Sequence, residues 1–218
     1  MDFSWRQFRD DEWWRKIPLW KDVDYKTCID HKWQEKNAIT NHKKLLKTIQ
    51  ELVNQDFLED AKDGFLKAPM AIRVSPYLLS LMSWETPDTC PIRRQFLPLA
   101  SQLQPDHPML RFDSLNEQKD SPVKGLTHRY QDKVLFLALD TCPVYCRFCT
   151  RAYAVGSSTA TAEKVSIKAS KERWTDIFKY LREHKEVEDV VISGGDAYRL
   201  KASQIKEIGD ELLKIDHI

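Results

Sequence analysis

Three cysteines within eight residues, directly after an apolar run, are the feature that most constrains the fold of this chain. They are Cys142, Cys146 and Cys149, and the run from Lys133 to Leu139 precedes them. Such a run predicts a strand buried on both faces, so the cysteines lie on a loop at its carboxyl end. Thiolates ligate iron–sulfur clusters. Three of them predict a 4Fe-4S cluster in which one iron lacks a protein ligand.

After residue 127, strands and helices alternate along the sequence. Asp189 to Ile192 predicts a second strand, Ser170 is the predicted N-cap of the helix before it, and Ser203 opens a further helix. The predicted buried stripe of that last helix is Ile205, Ile208, Leu212 and Ile215. This order implies parallel pairing, with a ligand site at the carboxyl ends of the strands. The cysteine loop and a Ser-Gly-Gly-Asp turn lie at those ends.

The preceding part of the chain predicts helices. Apolar residues recur at helical spacing from Thr40 to Leu58, and Ser75-Pro76 predicts the start of another helix that runs to about Met82. Residues 98–127 are polar and irregular, which indicates a domain boundary. We therefore predict an α/β chain: an N-terminal α-helical region with a linker over 1–127, and the first βα units of a barrel over 128–218.

The first 22 residues are rich in tryptophan and charge and predict a docking arm or a pair of short helices. The tryptophans are Trp5, Trp13, Trp14 and Trp20. They are more often packing residues than functional ones. Their acidic neighbours match neither a secretory signal nor a typical transit peptide.

Charge and hydropathy exclude several classes of partner. The chain has 34 Lys and Arg against 33 Asp and Glu, a net charge of +1, which predicts no general attraction to nucleic acid or anionic membrane. Its apolar stretches fall short of the roughly 20 residues needed to span a bilayer. Clustered rather than evenly spaced cysteines favour metal binding over disulfides and predict a cytoplasmic protein, with Cys28 and Cys90 as small buried side chains.

Simpler interpretations stay open for each motif. The cysteines could form a zinc site or remain free thiols, although zinc ligands usually pair as C-x2-C. Gly194 and Gly195 let the backbone approach a ligand closely, or they form an ordinary strand-to-helix turn. The cations near His128-Arg129-Tyr130 and at Arg151 suit a phosphate or a carboxylate, or they are solvated surface charges.

The C-x3-C-x2-C spacing, with an aromatic residue before the last cysteine, resembles the signature of radical S-adenosylmethionine enzymes. Further motifs, which together cover roughly residues 30–218, resemble the lysine 2,3-aminomutase family of those enzymes. These motifs are Trp33-Gln-Glu-Lys-Asn37, Arg73-Val-Ser-Pro-Tyr77, Pro91-Ile-Arg-Arg-Gln95, Asp120-Ser-Pro-Val-Lys-Gly-Leu-Thr-His-Arg-Tyr130, Asp140-Thr-Cys142, Cys149-Thr-Arg151 and Val191-Ile-Ser-Gly-Gly-Asp196.

The resemblance implies a partial (β/α) barrel and an isomerase that interconverts an α-amino acid, most often L-lysine, and its β-isomer. It implies a 4Fe-4S cluster, S-adenosyl-L-methionine and pyridoxal 5'-phosphate as cofactors. A 5'-deoxyadenosyl radical would remove hydrogen from Cβ, nitrogen would migrate, and hydrogen would return. The implied partners are a small amino acid, an electron donor such as flavodoxin or ferredoxin, and further copies of the chain in a homo-oligomer.

The resemblance also assigns ligands at the matching positions. The cluster ligands are Cys142, Cys146 and Cys149. The S-adenosylmethionine ligands are Ser193, Gly194, Gly195 and Asp196. The pyridoxal-phosphate ligands are Arg129, Tyr130 and Lys133, although Lys133 stands where relatives commonly have arginine. Arg151 would bind the substrate carboxylate.

Two βα units cannot close a barrel, and an open sheet leaves unpaired edges, so we expect the chain to be the N-terminal part of a longer protein. The family's pyridoxal lysine would then follow Ile218, and this segment alone would not complete the reaction. Two alternatives stay open. One is a related radical enzyme that acts on glutamate, arginine or a protein lysine, and the other is a non-catalytic metal-binding or assembly module.

Overall fold

The computed structural model describes residues 12–218, which divide into two compact units. One unit contains the described residues up to Leu66 together with Ile72–Leu103. The other contains Lys67–Ala71 and Gln104–Ile218. Residues 104–127, which the sequence assigns to a linker, are therefore part of the second unit. The predicted domain ranges stay predictions, and Trp5 lies outside the described residues.

The first unit is built from short helices around an apolar core. The α-helices of the N-terminal part are α1 (Tyr25–Ile29), α2 (His31–Lys36), α3 (His42–Ile49), α4 (Gln55–Lys67), α5 (Pro76–Leu81) and α6 (Pro91–Phe96). The 3-10 helices there are Trp13–Lys16, Pro18–Trp20 and Ala100–Gln102. Trp14 and Trp20 are buried, as packing residues should be. Cys28 and Cys90 are buried as predicted.

The helical pattern predicted from Thr40 to Leu58 is divided between two helices, which corrects the prediction. The chain leaves the helix after Ile49, and Asn54 starts the next helix by accepting a hydrogen bond from the Phe57 amide at 2.9 Å. An Asn side chain at an N-cap satisfies an amide that would otherwise lack a partner. The interruption lets apolar residues of α3 and α4 pack into one core although their periodicity runs on.

Helix α5 begins and ends close to its predicted bounds, with the Ser75 side chain accepting from the Leu78 amide. Helix α6 was not predicted. Its N-cap is Cys90, whose sulfur accepts from the Arg93 amide at 3.5 Å. A cysteine is a weak acceptor and an unusual cap, so the local sequence gives little indication of this helix.

The second unit contains a three-stranded sheet with the order β1-β2-β3. The strands are β1 (Leu126–Thr127), β2 (Lys133–Leu139) and β3 (Asp189–Gly194). β1 pairs antiparallel with β2, and β2 pairs parallel with β3 through helix α7 (Lys171–Glu183). A 3-10 helix (Ala197–Arg199) and helix α8 (Ala202–Leu212) follow β3. The predicted α/β class and the parallel pairing are confirmed.

Helix α7 covers one face of the sheet, as its apolar periodicity predicts. The Phe136 ring on β2 contacts the rings of Trp174 and Phe178 edge-on. Helix α8 fits its prediction less well: Ile208 is buried, but Ile205 is 39% exposed. Ile205 lies in the first turn of α8, at the margin of the stripe that packs on this core. None of the helices described in residues 12–218 is long and apolar enough to cross a membrane.

Candidate active site

The three clustered cysteines lie on a loop that leaves β2 and returns to it. The Gly156 amide donates to the Asp140 carbonyl at 2.8 Å, which closes the loop over residues 140–156. Gly156 has φ +82, and a Cβ there would lie 3.2 Å from the Tyr145 ring. Glycine thus allows both the left-handed turn and the close approach of that ring. The result is a compact loop held against the carboxyl end of β2.

The three loop thiols are free and lie close enough to influence one another. Burial, which is the largest cause, together with Cys149, Asp196 and Cys146, raises the pKa of Cys142 to about 12, and Arg199 opposes them. Burial also raises the pKa of Cys146, followed by the effect of Cys149. Without a metal, this environment disfavours three adjacent thiolates. A bound metal reverses that balance, because a coordinating thiol is deprotonated.

Within residues 12–218, no three His, Cys, Asp or Glu side chains are arranged to hold a metal ion. The cysteine loop therefore lacks the converging geometry of a single-ion site such as structural zinc. An iron–sulfur cluster makes a different demand, because each cysteine ligates a different iron. A donor set of three mutually close thiols, all partly exposed, fits a cluster in its chemistry.

The glycine turn after β3 is bound directly to the start of the cysteine loop. The Gly195 amide donates to the Leu139 carbonyl at 2.7 Å, and the Asp196 amide donates to the Thr141 carbonyl at 2.9 Å. A Cβ on Gly194 would lie 2.3 Å from the Leu139 oxygen, and one on Gly195 would lie 2.4 Å from the Thr141 oxygen. Packing between the two strand ends is therefore sufficient reason for both glycines.

This arrangement limits which groups of the turn could contact a ligand. Because the Gly195 and Asp196 amides donate within the protein, a ligand would meet backbone carbonyls and side chains. Carbonyl oxygens accept hydrogen bonds, so they suit an ammonium group better than an anion. The Asp196 side chain caps the following 3-10 helix by accepting from the Tyr198 amide at 3.0 Å. Ser193 lies beside Leu137 in the strand register.

A cavity of about 250 Å³ lies on the sheet face opposite α7. The register pair Leu135 and Val191 lines it, whereas Phe136 points to α7. Its charged and polar lining consists of Glu117, Thr127, Arg129, Tyr130, Lys133 and Arg151. The four residues predicted to bind pyridoxal phosphate or the substrate carboxylate are thus brought together around one space.

Arg151 lines this cavity in a paired state that the sequence did not predict. Its Nε and Nη2 donate to the two carboxylate oxygens of Glu117 at 3.1 and 3.0 Å. The Glu117 side chain is 4% exposed and also accepts from the Tyr153 hydroxyl at 2.9 Å. Burial and this hydrogen bond raise the pKa of Tyr153. Glu117 occurs in the irregular 98–127 segment, where no local pattern distinguishes it.

The two other predicted cations also have acidic neighbours. Arg129 Nε donates to Asp120 at 2.7 Å, a contact that raises the pKa of Arg129, and its Nη2 donates to the Leu115 carbonyl. The Lys133 amine lies 3.5 Å from an oxygen of Asp132, its chain neighbour. Arg129 is therefore held in place, whereas Lys133 has a longer, exposed contact that leaves its amine more freedom.

Comparison with known proteins identifies the class to which this chain is similar: the amino acid 2,3-aminomutases. It is 35% identical over 207 residues to the L-lysine 2,3-aminomutase of Bacillus subtilis, a match to 94% of this chain and 41% of the relative. The L-lysine 2,3-aminomutase of Clostridium subterminale is 34% identical over 206 residues, with 94% and 46% covered. The glutamate 2,3-aminomutase of Clostridioides difficile is 30% identical over 191 residues, with 87% and 42% covered.

The predicted resemblance to the lysine 2,3-aminomutase family is therefore confirmed over the part of the family's length that the chain spans. The chain spans less than half the length of these curated relatives. No family model matches it.

Proposed function

We propose that the chain forms part of a radical S-adenosylmethionine aminomutase that moves the amino group of a free amino acid between Cα and Cβ. L-lysine is the first candidate substrate, because several of the similar relatives carry the name L-lysine 2,3-aminomutase. The observation that carries the proposal is the cavity lined by Arg129, Tyr130, Lys133 and Arg151. It lies beside a three-cysteine loop, with Arg151 two residues after Cys149.

The cysteine loop is the proposed cluster site. Cys142, Cys146 and Cys149 would supply one thiolate each, which leaves the fourth iron to S-adenosylmethionine. The bound cluster would supply the electron for cleavage of S-adenosylmethionine, and pyridoxal phosphate would hold the substrate amine. Carbonyl oxygens of the turn at Ser193 and Gly194 would accept from the methionine ammonium. The partly buried loop would limit the access of water.

The cavity cations are the proposed anion ligands. Arg129, fixed by Asp120, and the freer Lys133 would contact the phosphate of pyridoxal phosphate, with the Tyr130 hydroxyl as a further donor. Arg151 would bind the substrate carboxylate, because a guanidinium matches a carboxylate with two parallel hydrogen bonds. A ligand with one phosphate and one carboxylate accounts for the three cations that line the cavity. The electron donor and the self-association that the family implies stay predictions.

A glutamate 2,3-aminomutase is the second candidate, favoured by the 30% identity to the Clostridioides difficile enzyme. Both candidates require a cation for the α-carboxylate, so Arg151 does not distinguish them. Product analysis does. The protein that carries this chain, supplied with its cofactors and a reductant, is incubated with L-lysine and L-glutamate separately. Formation of β-lysine supports the first candidate, and formation of β-glutamate supports the second.

The decisive test of the proposal is anaerobic reconstitution of the protein with iron and sulfide. We expect electron paramagnetic resonance of the reduced protein to show a 4Fe-4S cluster whose spectrum changes when S-adenosylmethionine is added. Replacing Cys142, Cys146 and Cys149 by alanine should abolish the signal. Cys28→Ala, which removes a buried thiol outside the loop, should retain it. A bound zinc ion, or a cluster whose spectrum does not change when S-adenosylmethionine is added, would contradict the proposal.

A further inference from the structure

Glu117 is the most buried acidic side chain among the described residues near the cavity, at 4% exposed, and both of its oxygens are engaged. Oε1 accepts from Arg151 Nη2, and Oε2 accepts from Arg151 Nε and from the Tyr153 hydroxyl. Three donors on two oxygens satisfy most of what a buried carboxylate requires. This pairing crosses 34 residues of sequence and joins the 113–118 turn to the cysteine loop.

The turn that carries Glu117 is built to hold it in one position. The Asp113 side chain accepts from the amides of Glu117 and Gln118 at 3.0 and 2.8 Å. Asn116, directly before Glu117, has φ 56, and it is the non-glycine residue with positive φ in the described chain. Left-handed backbone is unfavourable for most residues, and asparagine tolerates it comparatively well. The local conformation therefore serves to aim one carboxylate inward.

The contact with Glu117 occupies one of the two hydrogen-bonding edges of the Arg151 guanidinium. The Nε and Nη2 edge lies against Glu117. A guanidinium has five N–H donors, so its Nη1 and Nη2 edge can still bind a second carboxylate in parallel. Arg151 also lines the cavity, with its side chain 23% exposed. A flexible arginine would lose side-chain entropy on binding a ligand, and fixing one edge in advance reduces that loss.

We infer that Glu117 is a positioning residue for the α-carboxylate of the amino acid substrate, supported by Tyr153, an inference that rests on the proposed function. Glu117 acts through Arg151 and does not touch the ligand. It fixes the plane of the guanidinium so that the free edge faces the cavity. Its negative charge also balances the buried part of the cation, so that binding depends on the direction of the hydrogen bonds more than on net charge.

The test compares ligands that differ only in the α-carboxylate. Binding of L-lysine and of 1,5-diaminopentane to the cofactor-loaded protein is measured by titration calorimetry. If L-glutamate binds instead, the pair is L-glutamate and 4-aminobutanoate. Glu117→Gln should lower the preference for the amino acid over the amine about tenfold and leave the affinity for the amine unchanged. Tyr153→Phe should lower that preference about threefold, and the exposed control Glu163→Gln should not change it.

Each other outcome overturns the inference. An unchanged preference in both Glu117→Gln and Tyr153→Phe means that Arg151 is oriented without them. Equal loss of affinity for both ligands means that Glu117 serves stability alone. Thermal unfolding identifies a variant that does not fold, and Tyr153→Phe, which removes one oxygen atom, then decides. A normal cluster response with an unchanged preference refutes the role of Glu117 only, whereas a wild-type protein without the cluster response refutes the proposed function.

Discussion

Two arginines in the same unit, Arg173, which is buried, and Arg151, which is partly exposed, show how differently a protein can use a cation. Arg173 on α7 donates to backbone carbonyls at Leu137, Ala138, Ile167 and Lys168, at 2.7 to 3.2 Å. Burial lowers its pKa to about 10, and Asp140 opposes that effect. Arg151 instead bonds to a carboxylate and lines a cavity.

The two arginines differ in how much of the guanidinium a ligand can still reach in the folded chain. The carbonyls around Arg173 belong to β2 and to the segment that leads into α7, so this guanidinium fastens the sheet to its covering helix. Little of it can meet a ligand, since the residue is 9% exposed. Arg151 lines the cavity, and its side chain is 23% exposed. The carbonyl contacts of Arg173 thus indicate a structural role, whereas Arg151 remains accessible to a ligand in the cavity.

The largest expected effect concerns the structural arginine. Arg173→Met should lower the free energy of unfolding by about 4 kcal/mol, because it leaves several buried carbonyls without a donor. Urea denaturation followed by circular dichroism measures this. Arg182→Met on the same helix removes a half-exposed pair with Glu211 and should cost less than about 1 kcal/mol. Equal losses in the two variants would mean that the carbonyl contacts do not fasten the sheet.

The second largest effect is expected at the end of β3, where Gly194 packs closely against the backbone of Leu139. Gly194→Ala should cost about 3 kcal/mol, because Gly194 has φ +132 and the new Cβ would lie 2.3 Å from the Leu139 oxygen. Gly209→Ala in α8 meets nothing within 4 Å and should stabilise the chain by about 0.5–1 kcal/mol. Denaturant midpoints of the two variants should therefore move in opposite directions. A shift of Gly194→Ala toward higher stability would disprove the packing argument.

The third largest effect concerns Arg151, which we expect to be held chiefly by its ion pair with Glu117. Arg151→Met alone should cost about 2 kcal/mol, because Glu117 is left buried with Tyr153 as its remaining side-chain donor. Adding Glu117→Gln should recover more than half of that loss, since both charges are then removed together. The double-mutant cycle is measured by urea denaturation. No recovery would mean that Arg151, like Arg173, is held chiefly by something other than its charge partner.

The fold was predictable where a local pattern determines the element. The apolar runs of β2 and β3 and the N-caps at Ser75 and Ser170 place these elements within about two residues of their observed bounds. The break between α3 and α4 was missed because the apolar periodicity continues through it. The start of α4 is marked by the Asn54 side chain, which accepts a hydrogen bond from the Phe57 amide. The spacing of apolar residues carries no information about such a contact.

The candidate site was likewise predictable only in part from the sequence. The cysteine spacing and the family resemblance pointed to the residues that line the cavity, including Arg129 and Arg151. Glu117 was missed because its contact with Arg151 depends on the left-handed turn at Asn116 and spans 34 residues of sequence. The glycine turn has a packing reason that the sequence could not supply, namely the carbonyls of Leu139 and Thr141.

The smallest expected effect comes from Lys164, a cation held by carbonyls as Arg173 is, but less buried. Its amine donates to the Pro69 carbonyl at 2.8 Å and to the Ala152 carbonyl, and it lies 4.7 Å from the centre of the Phe112 ring. Burial lowers its pKa from 10.5 to about 8, and Cys149 opposes that effect. Unlike an arginine, this lysine can therefore lose its proton in the native state at moderately alkaline pH.

Stability should rise with pH over the range in which Lys164 is neutral in the native state and still charged in the unfolded chain. Between pH 8 and 10.5 the unfolded chain retains the proton that native Lys164 has lost, so raising the pH favours the native state. Relative to Lys164→Met, the wild type should gain about 1 kcal/mol over that window, a value reduced by partial exposure. Urea midpoints of both proteins at pH 7.5 and 10 measure it, and exposed Lys168→Met corrects for the lost charge. A constant difference at both pH values would mean that Lys164 stays charged over this range.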